Sequence, residues 1–221
     1  MNNSQTGDRS AVYRVADLVG VVADGQTYKN LLYLFLAFPL GLLYYVVLMI
    51  GFSLGVGLSI LVVGLGILFV TVVGLRWIAS FERRLANALL GTDIATPDDV
   101  ERADEGLVEA AKSYLGAPST WRGLGFVVLK FWIGILSFVL LVTFLGTAVE
   151  LLLLPLFPDG VLNIQVMGWE IAPTVQSVTH QAVAVPAGAV LGLFALHILN
   201  AFAGANASIA TALLGPEQSD E

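Results

Sequence analysis

The chain has no cysteine, which excludes disulfides, thiol nucleophiles and thiolate metal sites. It also has little charge. Only 12% of its 221 residues are Asp, Glu, Lys or Arg, about half the ~25% of a soluble domain. No charged side chain occurs from Asn30 to Leu75, and from Ile171 to Pro216 only His180 and His197 can carry one. The sequence contains no GxxxxGK[ST], HExxH or GxSxG pattern, so it lacks the usual phosphate-cradling loop, the zinc-protease helix and the serine elbow. The chain is therefore not expected to be an enzyme, and no cofactor, metal or nucleic-acid partner is expected.

What fills the chain instead is hydrocarbon. Hydrophobic residues make up 57% of it, and the mean hydropathy is +0.85. A helix covering either 46-residue uncharged stretch would be about 69 Å long at ~1.5 Å per residue. That is more than twice a hydrocarbon core of ~30 Å, so the first stretch must fold back. Runs such as LLYLFLAF show no alternation, which argues against a β-barrel. Inside a bilayer the remaining choice is the helix, which bonds its own backbone. The expected fold is an all-α polytopic membrane protein with four spans near residues 31–50, 57–77, 124–154 and 182–202. The glycines of GFSLGVG are expected to turn the chain between the first two. An N-terminal segment, residues 1–30, contains an amphipathic pattern at Val12, Val15, Leu18, Val19 and Val22, read as an interfacial helix. A short acidic tail, residues 216–221, ends the sequence.

All ten basic residues fall in residues 1–30, in the loop 80–121, in Arg76 just before it, or at Arg122 and Lys130 just after it. The excess of Lys and Arg on one side of the spans predicts a plasma-membrane protein with both termini cytoplasmic. Net charge is −7, with seven Arg against three Lys; this acidic, lysine-poor balance suggests the high-salt cytoplasm of a halophilic archaeon. The loop itself reads as two helical pieces. FERRLANALLG continues the second span, with Phe81, Leu85, Ala88 and Leu89 on one apolar face and Gly91 as its stop. A second helix is read over TPDDVERADEGLVEAAKSYLG, with Thr96 as its N-cap and Pro97 at its first helical position, and is closed by Gly116 and Pro118. Residues 156–179, on the outside, include VLNIQV and WEI about an MG turn, the pattern of a short β-hairpin. Trp169 suits an interfacial anchor.

The chain also repeats itself. QTYKNLLYLFLAFPLG at Gln26 aligns with STWRGLGFVVLKFWIG at Ser119, an offset of 93 residues. LANALLG, ending at Gly91, aligns with IATALLG, ending at Gly215, an offset of 124. Each half is a helical hairpin, and the second has an external insertion. With four spans, both halves cross in the same direction, which predicts a parallel repeat about an axis along the membrane normal. The pattern T-[YW]-[KR]-x-L, F-x-x-G-[IL]-L-x-[FY]-V and a closing A-x-x-x-A-L-L-G resembles the putative sensor domain family over about Gln26 to Gly215. The resemblance implies a membrane-embedded sensor module of the type that feeds two-component histidine kinases, with stand-alone versions in haloarchaea. The chain contains no phosphoacceptor-His helix and no Gly-rich ATP loop. Output is thus expected through a separate signalling partner such as a histidine kinase or regulator, or through the cytoplasmic loop.

Four side chains stand out as functional candidates, because an ionisable group inside a membrane is costly. His197, in the fourth span, could sense pH or a headgroup, or bond a neighbouring helix beside Asn200. His180, at the mouth of that span, could join Glu170 or Glu150 in an external ion site, though the three lack motif spacing. Glu150 is expected at the outer interface, facing water. Lys130 is expected to snorkel to the cytoplasmic side or to contact an anionic lipid. Thr27 and Thr120 are read as helix caps, and Tyr28 and Trp121 as anchors in the headgroup belt. Gly51 with Gly55, and Gly188 with Gly192, have small-xxx-small spacing for close helix packing, within the bundle or in a homodimer. The reading is a membrane sensor of an envelope or lipid signal. A small transporter or channel, or a structural subunit of a membrane complex, is the alternative.

Overall fold

The structure is a computed structural model, and it describes residues 19–97, 107–157, 165–166, 169–170 and 178–216. Helix α1 (Gly25–Gly57) is followed by a 3-10 turn (Ser59–Leu61) and α2 (Val63–Leu90). Then come α3 (Leu107–Gly116), α4 (Pro118–Leu140), a π-helical turn (Leu141–Gly146), α5 (Thr147–Leu153) and α6 (Val178–Leu214). Four of the helical stretches are long and apolar enough to cross a membrane: Gly25–Gly57, Val63–Leu90, Pro118–Leu153 and Ala182–Leu214.

Local chemistry explains the helix ends. Asp24 accepts the Gln26 N–H at 3.0 Å and caps α1. Thr27, expected to cap, lies inside the first turn and is fully buried. Pro118 opens α4 at the position where its missing N–H matters least. Gly91, in the left-handed region with φ 68, stops α2 as its sequence predicts. Beyond it, Asn87 accepts from the Ile94 N–H at 2.9 Å and the Thr92 hydroxyl at 2.8 Å, tying the following chain back to the helix.

The chain divides into two compact units. In the unit formed by Leu32–Phe138 and Ala203–Glu221, Tyr44, Leu48, Leu75 and Val127 form a core with Leu40, Phe52, Ile78 and Leu124 packed on it. Here α1 and α2 pack as an antiparallel pair. A Cβ on Gly51 would collide with Thr71, and one on Gly55 would stand 2.6 Å from Leu68. Gly51 and Gly55 of GFSLGVG therefore serve helix packing, and the turn falls later, at Leu58–Val62. In the other unit, Met1–Leu31 with Val139–Phe202, α6 packs on α5. A Cβ on Gly188 would come within 2.8 Å of Leu151, Phe144 meets Phe194 edge-on at 6.2 Å, and Leu154 closes on Ala184.

Helices α1 and α4 touch closely. Gly41 backs onto Lys130, and Gly134 backs onto Ala37. Phe38 stacks on Phe138 at 4.7 Å, and Tyr45 on Phe131 at 4.4 Å. As α1 advances, its partners on α4 retreat, so the two helices run in opposite senses where they touch. The close approach is possible because Gly41 and Gly134 each face the other helix's carbonyl.

The buried face of the FERRLANALLG segment is also not the one expected. Ala79, Glu82 and Ala86 point inward, while Phe81 is half exposed, because Glu82 has a partner inside. In the segment 156–179, Gln165 pairs with Glu170 and Val166 with Trp169 in antiparallel register. That two-residue ladder is all the strand structure among the described residues. The N-terminal amphipathic pattern up to Leu18 and the start of the helix read from TPDD lie outside them.

Candidate functional site: a buried ion pair between two helices

Val72, Leu75, Ala79, Glu82 and Ala86 recur at spacings of three and four and form the inward seam of α2. Gly123, Phe126, Val127, Lys130, Ile133, Gly134 and Ser137 do the same on α4. Lys130 Nζ donates to Glu82 Oε2 at 2.9 Å, and both side chains are 0% exposed. The expected snorkelling of Lys130 does not occur. Its ammonium turns inward, lies 3.9 Å from the centroid of the Tyr33 ring and 5.9 Å from that of Phe126, and gains from the aromatic faces as well as the carboxylate. Gly41 makes room for this turn of α4, since a Cβ there would stand 2.7 Å from the Lys130 carbonyl oxygen.

The cluster is incompletely bonded. Tyr44 lies beside the Glu82 carboxylate, and the Tyr33 ring covers the ammonium. Yet the Tyr44 hydroxyl completes no hydrogen bond, and Glu82 Oε1 has no donor among the described residues. A buried polar atom left this way costs about 1–3 kcal/mol, so a small displacement of one helix can make or break a bond here.

A second polar contact joins α2 to the helices after it. Arg76 donates to Ser119 Oγ at 2.7 Å and Thr120 Oγ1 at 3.0 Å, and its guanidinium lies 5.5 Å from the Tyr114 ring centroid on α3. Phe69 meets the same ring edge-on at 6.0 Å. A third lies in the other unit. Asn200 donates to Thr27 Oγ1 at 2.9 Å and accepts from Asn30 at 3.0 Å, and Gln26 donates to Asn30 at 2.8 Å. Thr27 and Thr120 thus act as acceptors between helices, which is why they are buried. Beside Arg122, whose guanidinium bonds the Ala212 carbonyl, an open groove of about 830 Å³ is lined by Thr92, Asp93, Ser208 and Thr211 among others.

A family profile described as Putative sensor matches residues 33–214, and so covers the ion pair and both tyrosines. The chain belongs to that family. No curated protein and no solved structure matches it significantly. With its four apolar helices, this sensor is an integral, multi-pass membrane protein.

The other candidates in the sensor scatter. Glu150 is 1% exposed, not water-facing as expected; it follows the π-helical turn and packs with Thr147 and Ala148 on the inner face of α5. His197 makes no bond to Asn200, which is taken up by Thr27 and Asn30, and its Nδ1 has no partner among the described residues. The side chain of His180 lies outside the described residues. No group of three potential metal ligands occurs among the described residues. The structure thus brings together Lys130 with three residues that sequence reasoning passed over: Glu82, Tyr33 and Tyr44. The signal for Glu82 was its position. It continues the spacing of Val72, Leu75 and Ala79.

Proposed function

We propose that this membrane sensor transduces through the Glu82–Lys130 pair, and that the state of the pair reaches a separate cytoplasmic signalling protein, a histidine kinase or regulator, through α3 and the acidic residues 93–105. The observation that carries the reading is a fully buried ion pair joining two apolar helices, with an unfilled carboxylate oxygen and an idle tyrosine hydroxyl beside it. Such a cluster can exchange one bonding arrangement for another, and a two-state element is what a sensor needs. Arg76 holds Tyr114 six residues before Glu82 on the same helix, so a shift of α2 moves α3. The signal is an envelope or lipid state, received by the bundle or by residues 156–179, and the cytoplasmic side is the one rich in Lys and Arg.

Two copies of one helical hairpin support this reading. The contacts of Gly41 and Gly134 are exchanged by the 93-residue offset, as are the aromatic pairs Phe38–Phe138 and Tyr45–Phe131. By the two offsets Asn200 corresponds to Arg76 and Thr27 to Thr120, and both pairs are bonded. Lys130 corresponds to Ala37 and Glu82 to Asn206. One copy thus has the charged pair and the other a small residue and an amide, the asymmetry expected where one half took on a role.

The test uses spin labels at Trp77 and Trp132, which are 77% and 61% exposed on α2 and α4. The label distance in nanodiscs is read across lipids of different thickness and headgroup charge. The reading expects two populations whose ratio shifts with the lipid, collapsing to one in Glu82→Gln. A single distance in every lipid, unaltered by the substitution, overturns it.

A further inference from the structure

The turn between α1 and α2 is made of Leu58, Ser59, Ile60, Leu61 and Val62. Ile60 is 91% exposed, Val62 72%, Leu61 65% and Val63 63%. Four consecutive bare aliphatic side chains at the tip of a hairpin suit water poorly, and water-exposed turns use Gly, Asn, Asp and Pro. Val62 also has φ 59 with ψ −34, a positive-φ conformation that strains a β-branched residue. A turn in water would relieve it with Gly or Asn.

The backbone behaves as it must in a solvent without hydrogen bonds. The Leu61 N–H donates to Leu58 O at 2.9 Å, Val62 to Ser59 O at 3.2 Å, Gly64 to Leu58 O at 3.1 Å and Leu65 to Val62 O at 3.0 Å. The Ser59 hydroxyl, the one polar side chain of the turn, donates to Val56 O at 2.8 Å. Gly64 closes the loop so tightly that any Cβ would collide with Leu58 and Ser59. Bonding this much of an irregular turn within itself is what backbone in hydrocarbon needs.

The bare surface of the tip is continuous with the exposed aliphatic flanks of both helices at Leu54, Val56 and Leu65.

We infer that the tip Leu58–Val63 ends among lipid acyl chains instead of emerging into water, so that its surface contacts the hydrocarbon directly. This goes beyond the sensing reading and does not depend on the ion pair.

The absence of native cysteine makes the test clean. Full-length Ile60→Cys and, as a second reporter, Val63→Cys are reconstituted in phosphatidylcholine–phosphatidylglycerol vesicles, with exposed Ala95→Cys as the water-facing control. The expected result is loss of labelling by a membrane-impermeant maleimide at both tip positions, while Ala95→Cys is labelled to completion. An environment-sensitive dye attached at either tip cysteine before reconstitution is expected to be quenched by acyl-chain nitroxide lipids and not by headgroup nitroxides. Labelling of the tip at the control's rate, or quenching mainly by headgroup nitroxides, overturns the inference. Protection from both maleimide and nitroxide lipids also overturns it, since protein would then cover the tip. A variant that misfolds loses its monodisperse elution, and the other reporter then decides.

Discussion

The buried pair makes its sharpest prediction when its members are removed singly and together. At 2.9 Å and an effective dielectric of 20, the Coulomb attraction is about 6 kcal/mol. Taking each ion out of water costs several kcal/mol, so the intact pair contributes little net stability. Lys130→Met alone leaves the Glu82 carboxylate in the seam beside Tyr44 with no cation, and should destabilise the protein by about 3–5 kcal/mol. Glu82→Leu alone strands the ammonium at a similar cost. The double variant removes both charges and fills the seam with apolar volume; it should lie within about 1 kcal/mol of the parent or above it. The coupling energy should then exceed about 3 kcal/mol. Reversible unfolding in bicelles, followed by steric trapping or denaturant titration, measures all four corners of the cycle. Single variants costing less than about 1 kcal/mol, the range of a solvated pair, or single effects that simply add, would refute the claim that this pair is dry and mutually dependent. The double variant should remain folded yet show no lipid-dependent change in α2–α4 distance.

Five single variants extend the test. Gly41→Leu should destabilise by about 1–3 kcal/mol through overpacking against the Lys130 backbone. Gly74→Ala, where a Cβ meets nothing within 4 Å, should be neutral or stabilising by up to about 1 kcal/mol; thermal unfolding in detergent compares the two. Asn200→Ala should cost about 1 kcal/mol, since interhelical hydrogen bonds in membranes average about 0.6 each, and the same denaturation assay reads it. Arg76→Ala should release Tyr114 and speed amide hydrogen exchange across α3 with little effect on exchange in α6. Val62→Gly should raise stability by up to about 1 kcal/mol in the same assay, because a sparsely populated backbone conformation costs about 1–3 kcal/mol and the added glycine entropy takes back part of that.

Much of the architecture is legible in the sequence, and the misses have one cause. Long uncharged stretches force helices in a bilayer, and Gly91 announces the end of α2 before any coordinates are known. The turn of the first hairpin was placed at the glycines because glycine usually marks a turn. In a membrane, glycine equally marks the place where a neighbouring backbone comes close, and Gly51 and Gly55 do that against Thr71 and Leu68. Sequence alone makes Lys130 a snorkelling cation and gives no reason to single out Glu82. Alone, each would seek water. Only the presence of the other inside makes burial tolerable, and the two are separated by 48 residues in sequence.

Composition and patterning alone determined that this chain belongs in a membrane, how many helices can cross it and which residues are polar enough to matter there. Those properties follow from solvent transfer and helix geometry, which act locally. Tertiary structure alone decided which of the polar residues meet, in what sense the two equivalent helices pass each other and that an apolar tip closes the first hairpin. These depend on backbone approach at Gly41, Gly134 and Gly64, and so on pairs of positions far apart in the chain.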